Sequence, residues 1–315
     1  MDAMRAWAAV RTSLVTPLAY GSVALAWSGS WILGKIGVGA VPPLELSAVR
    51  FAIAGTVLLA IAAVTRTSFR GAPIGVVVAS AFLGYFANNA LAFVGLSMAP
   101  ASDGVLIVPT TVPVFTALAA TFVGERLDRT RIWGLAVATL GAAAVIAAGQ
   151  EGGALSERRL TGDLLMLASS ACWGTYTALG AVALRSMSPL AVVALAAPIG
   201  ALMLFPLGFL ERGYADLGAW SAGSWLIVLY LAIVATVGAF IVYYWTVRRD
   251  GAGLASLSQY LIPIVTLVIA FVVLGERPHP LQLVGGAIII AGAWLVSRRP
   301  RSIVEVELAG ASEAL

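Results

Sequence analysis

Long apolar runs separated by short polar breaks dominate the chain. Runs of about 17 to 25 residues, the length a helix needs to cross a hydrocarbon layer, fall at roughly 14–35, 44–64, 73–96, 104–123, 132–149, 163–184, 189–210, 222–246, 253–274 and 281–297. This spacing predicts ten transmembrane helices joined by short turns. The longest break, "QEGGALSERRLTG" at 150–162, is the one plausible linker. It separates a first unit at 14–149 from a second at 163–298, with a tail at 299–315. Apolar and polar residues do not alternate within the runs, which excludes a membrane β-barrel. Arg5 and Arg11 ahead of the first run resemble a secretory signal. The run's length and the spans that follow argue instead for an uncleaved first helix.

Composition agrees with the pattern. The chain is 60% hydrophobic and 11% charged, with a mean hydropathy of +0.97, whereas about a quarter of a soluble domain's residues are charged. Its net charge of +4 therefore points to membrane orientation rather than to nucleic acid. With the N-terminus placed in the cytoplasm, the inner breaks collect most arginines, among them Arg66, Arg70, Arg126, Arg129, Arg131 and Arg248. The outer breaks hold only Lys35, Arg158, Arg159, Arg212 and Arg277. That positive-inside bias puts both termini in the cytoplasm. A single cysteine, Cys172, permits no intrachain disulfide and no cysteine metal cluster.

The chain also repeats itself. Trp27, Gly34 and Pro43 align with Trp173, Gly180 and Pro189, and Pro113, Gly124, Glu125 and Arg126 align with Pro263, Gly275, Glu276 and Arg277. Further on, Gly134 and Gly141 align with Gly285 and Gly292. Five helices per repeat is an odd number, so the second copy lies upside down relative to the first. Orientation then explains why the first Gly-Glu-Arg turn keeps Arg129 and Arg131 while its outward-facing counterpart is nearly free of arginine.

Ten spans in two five-helix repeats, each with a proline in its fourth helix and an apolar run into "GER", resemble the drug/metabolite transporter superfamily and its EamA-type exporters. The likeness covers about residues 15 to 298, and the bacterial amino-acid exporters are the branch it resembles most. It implies a central cavity between the repeats, lined mainly by the first, third, fourth, sixth, eighth and ninth helices, and alternating access about that cavity.

Polar and aromatic residues inside spans are the candidates for a substrate site, because lipid cannot satisfy their hydrogen bonds. The first helix offers Trp27, Ser30 and Trp31, and the third Tyr85, Asn88, Asn89 and Phe93. The sixth offers Ser169, Trp173, Tyr176 and Thr177, and the eighth Thr236, Phe240, Tyr243 and Tyr244. In the ninth, Ser256, Gln259 and Tyr260 share a face just before Pro263. Taken singly, each is more often an interhelical contact than a ligand contact. Their concentration on the implied cavity helices favours Trp27, Ser30, Tyr85, Asn88, Asn89, Phe93, Trp173, Tyr176, Tyr243, Ser256, Gln259 and Tyr260 as substrate contacts. Gly34, Pro113, Gly180 and Pro263 are expected to let helices bend.

Charged residues read mainly as structural. Gly124 and Gly275 look like helix terminators, with Glu125 and Glu276 complementing the N-terminus of the following helix. Arg50, inside the second span, needs a partner or water. Pairing with a structural group is favoured over substrate contact, although Glu45, five residues away, is not an ideal same-face partner. Lys35 and Glu45 are expected to pair at the outer ends of their helices, and Asp103 either to cap the fourth helix, the favoured reading, or to close a gate. His279, alone in a loop, lacks the partners a metal site or proton relay needs.

No ATP-binding loop or zincin motif is present in the sequence, and carboxylates stay at span ends, which argues against a pump or an intramembrane enzyme. The expected function is a secondary exporter of small neutral or zwitterionic metabolites, amino acids first, in a bacterial-type inner membrane. A multidrug or other metabolite carrier on the same fold is the alternative, with an intramembrane enzyme behind it. The expected partners are the substrate and the lipid bilayer, without nucleic acid, cofactor or metal, and the chain is expected to work as a monomer.

Overall fold

Proline and glycine punctuation divides the apolar sequence into ten helices in the computed structural model, which describes residues 2–122, 129–149, 156–252, 255 and 258–297, the side chains of 2–16, 131, 149, 258, 296 and 297 excepted. They are α1 (Asp2–Ala40), α2 (Pro43–Val64), α3 (Ile74–Met98), α4 (Ala101–Thr121) and α5 (Arg129–Gly149), then α6 (Glu157–Ala183), α7 (Pro189–Arg212), α8 (Ala222–Asp250), α9 (Leu261–Leu274) and α10 (Pro280–Ser297). Among the described residues there is no strand. The helices α2, α3, α4, α7 and α8 are long and apolar enough to cross a membrane, and the apolar cores of α5, α9 and α10 are shorter.

Local chemistry sets the boundaries. Pro43 and Pro189 occupy the first turns of α2 and α7, where a missing N–H costs nothing. Ser156, Ser188 and Ser221 each accept a backbone N–H at the start of α6, α7 and α8. Gly213 (φ 70°) and Gly275 (φ 68°) end α7 and α9 in the left-handed conformation, as expected for Gly275. Three elements differ from the sequence expectation. Helix α1 runs from Asp2 rather than from residue 14, and α6 starts at Glu157, inside the expected linker, because Ser156 caps it there. The ninth helix opens with a 3₁₀ turn at Ser258–Tyr260 and becomes α-helical only at Leu261. Ser256, the first Gly-Glu-Arg phrase (Gly124, Glu125, Arg126) and the tail 299–315 lie outside the described residues.

Counterpart helices of the two halves pack against each other. Gly55 of α2 meets Pro198 of α7, and Gly208 of α7 meets Glu45 of α2, so the pair runs antiparallel. The helices α5 and α10 do the same: Gly141 lies against Gly285 and Ile289, and Gly292 against Gly134 and Ala138. A Cβ on Gly292 would stand 2.5 Å from the Ala138 nitrogen, a separation that only glycine allows. In lipid, where apolar surface gives no drive for helices to associate, such close backbone approach supplies the packing energy. The two five-helix sets therefore run in opposite directions, with α1, α3, α4, α6, α8 and α9 meeting between them.

Both third helices contain a wide turn. A π-helical segment spans Ala81–Ala87 in α3 and another Tyr230–Gly238 in α8. The alignment that sets Pro113 on Pro263 places the first of these on Leu231–Val237, within the second. Such bulges release backbone carbonyls from the regular ladder and occur frequently at functional sites.

Candidate functional site

A cavity of about 90 Å³ lies between the two sets of helices. Seven of the residues expected at a substrate site reach its wall: Trp27 and Ser30 from α1, Asn88, Asn89 and Phe93 from α3, Trp173 from α6, and Gln259 just before α9. Trp31, Arg50, Pro109 and Phe240 line it as well, beside the aliphatic Ala92, Leu96, Val108 and Ile262. Among the described residues, no Asp or Glu faces it.

The wide turns position the polar wall. On α3 the side-chain amide of Asn89 donates to the Gly84 carbonyl at 2.9 Å, five residues back, within the π segment. That bond holds the side chain and leaves its amide oxygen as an acceptor. On α8 the Thr236 hydroxyl donates to the Leu231 carbonyl at 2.8 Å, again five residues back. Trp27 donates its indole N–H to the Ala235 carbonyl at 3.1 Å, tying α1 to the same segment. Ser28 donates to the Ile262 carbonyl, and Gln259 donates to the Tyr243 hydroxyl at 3.4 Å.

Below these groups lies an aromatic cluster. Trp27 meets Trp173 edge to face at 5.3 Å, and Phe240 lies 5.9 Å and 5.2 Å from these two rings. The geometry matches the favoured edge-to-face arrangement of aromatic rings. Tyr85, Tyr176 and Tyr243 stand behind this layer and are fully buried. Tyr176 donates to the Tyr85 hydroxyl at 3.3 Å, while Tyr243 shares a hydrogen bond with Thr177. They support the cavity without touching it. Tyr260 points elsewhere, packing against the cluster that contains Leu106 and Ile107.

Of the four expected bending points, Gly34 lies against Phe93 and Leu96, and Gly180 lies so close to Tyr244 that a Cβ would stand 2.4 Å from its hydroxyl. Pro113 sits inside the continuous helix α4, and Pro263 in the first turn of α9.

Charged groups at the helix ends pair differently from the sequence expectation. Glu45 does not meet Lys35 or Arg50: its carboxylate accepts the Tyr214 backbone N–H at 2.8 Å. Lys35 instead donates to the carbonyls of Leu96 and Ala99 at 2.8 and 2.6 Å, at the C-terminal end of α3. Asp103 does not cap α4. It is fully buried in that helix's first turn and accepts Arg159 at 2.7 and 2.9 Å and Gln282 at 2.8 Å. Capping falls to Glu276, whose two carboxylate oxygens accept the backbone N–H groups of Ala101 and Ser102 at 3.0 and 2.7 Å. A carboxylate does complement a helix N-terminus, but that of α4 in the other half and not that of the helix following it. At the opposite end, the Tyr20 hydroxyl donates to Asp250 at 2.6 Å, joining α1 to α8. Among the described residues no three His, Cys, Asp or Glu side chains converge in a metal-ligating group.

Arg50 does have a structural partner, the Thr236 hydroxyl at 3.2 and 3.1 Å, and it also lines the cavity. The signal was present, since a cation in mid-span is costly unless it is paired or wet. What it could not show was which helix the side chain would meet.

Comparison with known proteins agrees with this architecture. The EamA-like transporter family matches residues 18–147 and 160–298. A protein of Streptantibioticus cattleyicolor described as "Probable terminal-alkyne amino-acid exporter" is 33% identical over 87% of this chain and 90% of its own length. An "Uncharacterized transporter" of Archaeoglobus fulgidus is 27% identical over 87% of this chain and 94% of its own. A "Probable amino-acid metabolite efflux pump" of Salmonella typhimurium is also 27% identical, over 87% and 91%. One solved crystal structure superposes with a TM-score of 0.64 at 24% identity, covering 92% of this chain and 97% of the other, and so shares the fold. Helical architecture, central cavity and family match together place the chain: it belongs to the EamA-like transporter family, as a multi-pass membrane transporter and not an enzyme.

Proposed function

We propose that the protein exports small neutral or zwitterionic metabolites, amino acids first among them, by alternating access at the cavity between its two halves. The observation that carries this reading is the wall itself. Aromatic faces from Trp27, Trp31, Trp173 and Phe240 surround the amides of Asn88, Asn89 and Gln259 and the Ser30 hydroxyl, the pattern of a site that fixes a small polar ligand by a limited number of directed bonds. An organic-cation carrier would be served by a carboxylate in the wall, and none of the described lining residues is acidic. A phosphorylated substrate would need several cations, and Arg50 is the one charged residue among the described lining residues. The descriptions of two relatives as amino-acid exporters point the same way.

In this reading the two antiparallel sets rock about the cavity, and Gly34, Pro113, Gly180 and Pro263 let the lining helices flex. The arginine bias sets both termini in the cytoplasm of a bacterial-type inner membrane. The units 14–149 and 163–298 are the moving halves.

The test is uptake of a panel of radiolabelled amino acids into liposomes containing the purified protein, with and without a proton gradient. Saturable uptake of neutral amino acids is expected. Folded protein that takes up no amino acid under either condition, but does take up amphiphilic drugs, would overturn the substrate class in favour of a multidrug carrier.

A further inference from the structure

Arg50 stands on α2, which the family resemblance does not count among the main cavity helices, yet it forms part of the wall. The residue is 4% exposed, and among the described residues no carboxylate lies within ion-pair distance of it. Its Nε and Nη2 both donate to one oxygen, Thr236 Oγ1, at 3.2 and 3.1 Å. The Thr236 hydroxyl spends its own hydrogen on the Leu231 carbonyl, so its lone pairs are turned to the guanidinium. Phe51 and Phe93 pack over the same group, 4.5 and 5.2 Å from Cζ to their ring centroids.

These contacts clamp the guanidinium along its Nε edge and against two rings. Nη1 has no protein acceptor among the described residues, so the Nη1/Nη2 fork is left over. Arginine keeps its charge in proteins and presents a planar fork that matches a carboxylate bidentately. A buried charge held by one hydroxyl and two aromatic faces lacks its counter-ion, and the described lining residues supply none.

We propose that Arg50 is the binding group for a carboxylate on the transported molecule, which serves as that counter-ion when bound. This rests on the transport reading above and narrows it: substrates carry one carboxylate, and a lone cation is rejected by like charge. The ammonium of an amino acid is then met by neutral acceptors, namely the Asn89 amide oxygen and the faces of Trp27 and Trp173.

The experiment uses the purified full chain in detergent, with the fluorescence of the cavity tryptophans as readout, titrated with propionate, propionamide and propylammonium. Propionate is expected to give a saturable change at a Kd at least tenfold below that of propionamide, and propylammonium none. Arg50→Gln is expected to abolish the preference for propionate. Arg50→Lys, which keeps the charge and loses the fork, is expected to retain part of it. No saturable propionate signal, or equal affinity for propionate and propionamide in the wild-type protein, overturns the proposal without relying on any variant's folding. Propionate binding to folded Arg50→Gln at wild-type affinity overturns it as well. Arg50-dependent propionate binding without amino-acid uptake would sink the amino-acid reading alone. Uptake of amino acids and of their amides at equal rates would sink the role of Arg50 alone.

Discussion

Asn89 and Gln259 show how single polar residues gain meaning inside a membrane. Each spends one side-chain N–H on a protein acceptor, the Gly84 carbonyl or the Tyr243 hydroxyl, and keeps the rest of its amide at the cavity. Replacing either with Ala is expected to lower amino-acid uptake at least tenfold while the protein still elutes as a folded monodisperse species. Normal uptake by both variants would remove them from the site. Thr236 tests the support of Arg50. Thr236→Val keeps the shape but removes this acceptor, and is expected to destabilise by about 1–3 kcal/mol, seen as a lower Tm, whereas Thr236→Ser should be close to neutral. At this scale the cavity residues were legible because an amide or indole inside an apolar run must find a partner. Tyr85, Tyr176 and Tyr243 were not separable from them. The same chemistry packs one helix on another, and only distance from the cavity distinguishes the two uses.

Between elements, close backbone approach and borrowed caps do most of the joining. The glycines repeated between the halves meet across the antiparallel α5 and α10 in crossed pairs, Gly141 against Gly285 and Gly134 against Gly292. A side chain on one helix would enter the backbone of the other. Gly292→Leu is therefore expected to cost at least 1–3 kcal/mol, the usual range for overpacking, and to reduce the yield of folded protein. Gly39→Leu, where no atom lies within 4 Å of the added Cβ, should leave the yield unchanged. The repeat was visible in the sequence, but its purpose was not. Aligned glycines show equivalence of position, and which of them touch is decided by the antiparallel pairing, which sets Gly134 on Gly292 and Gly141 on Gly285.

Caps illustrate the same limit. The Glu276 carboxylate holds the first N–H groups of α4, and Glu211 likewise accepts the backbone N–H groups of Leu44 and Glu45 at the start of α2, at 2.9 and 3.1 Å. Sequence proximity suggested that Glu276 serves the helix after it. A helix N-terminus attracts whichever carboxylate the fold brings near, and here it comes from the other half.

For the whole molecule, each end of the bundle is joined by its own polar contacts. At the end holding the start of α4, Asp103 binds Arg159 and Gln282, while at the other Tyr20 binds Asp250. Alternating access requires such contacts to break in turn. Asp103→Asn keeps an acceptor for Gln282 and gives up the ion pair, and so should favour opening at its end. With Cys172, the single cysteine, replaced by Ala and a reporter cysteine placed at Ser30, labelling by an impermeant thiol reagent from that side should rise severalfold. Unchanged labelling would mean that the Asp103 contacts do not gate the cavity.

The sequence by itself determined the helical class, the ten spans and the duplication, because apolar length and residue periodicity are local quantities that water and lipid read directly. It also placed most of the cavity's polar wall, since a polar group in an apolar run has few other uses. Only the tertiary structure decided which charge meets which. Arg50 faces Thr236 rather than Glu45, Lys35 meets the end of α3, and Asp103 binds Arg159 instead of capping its own helix. Each pairing depends on which side chains two distant helices bring within about 3 Å, a hydrogen bond's reach, and that distance is set by packing across the chain, not by spacing along it.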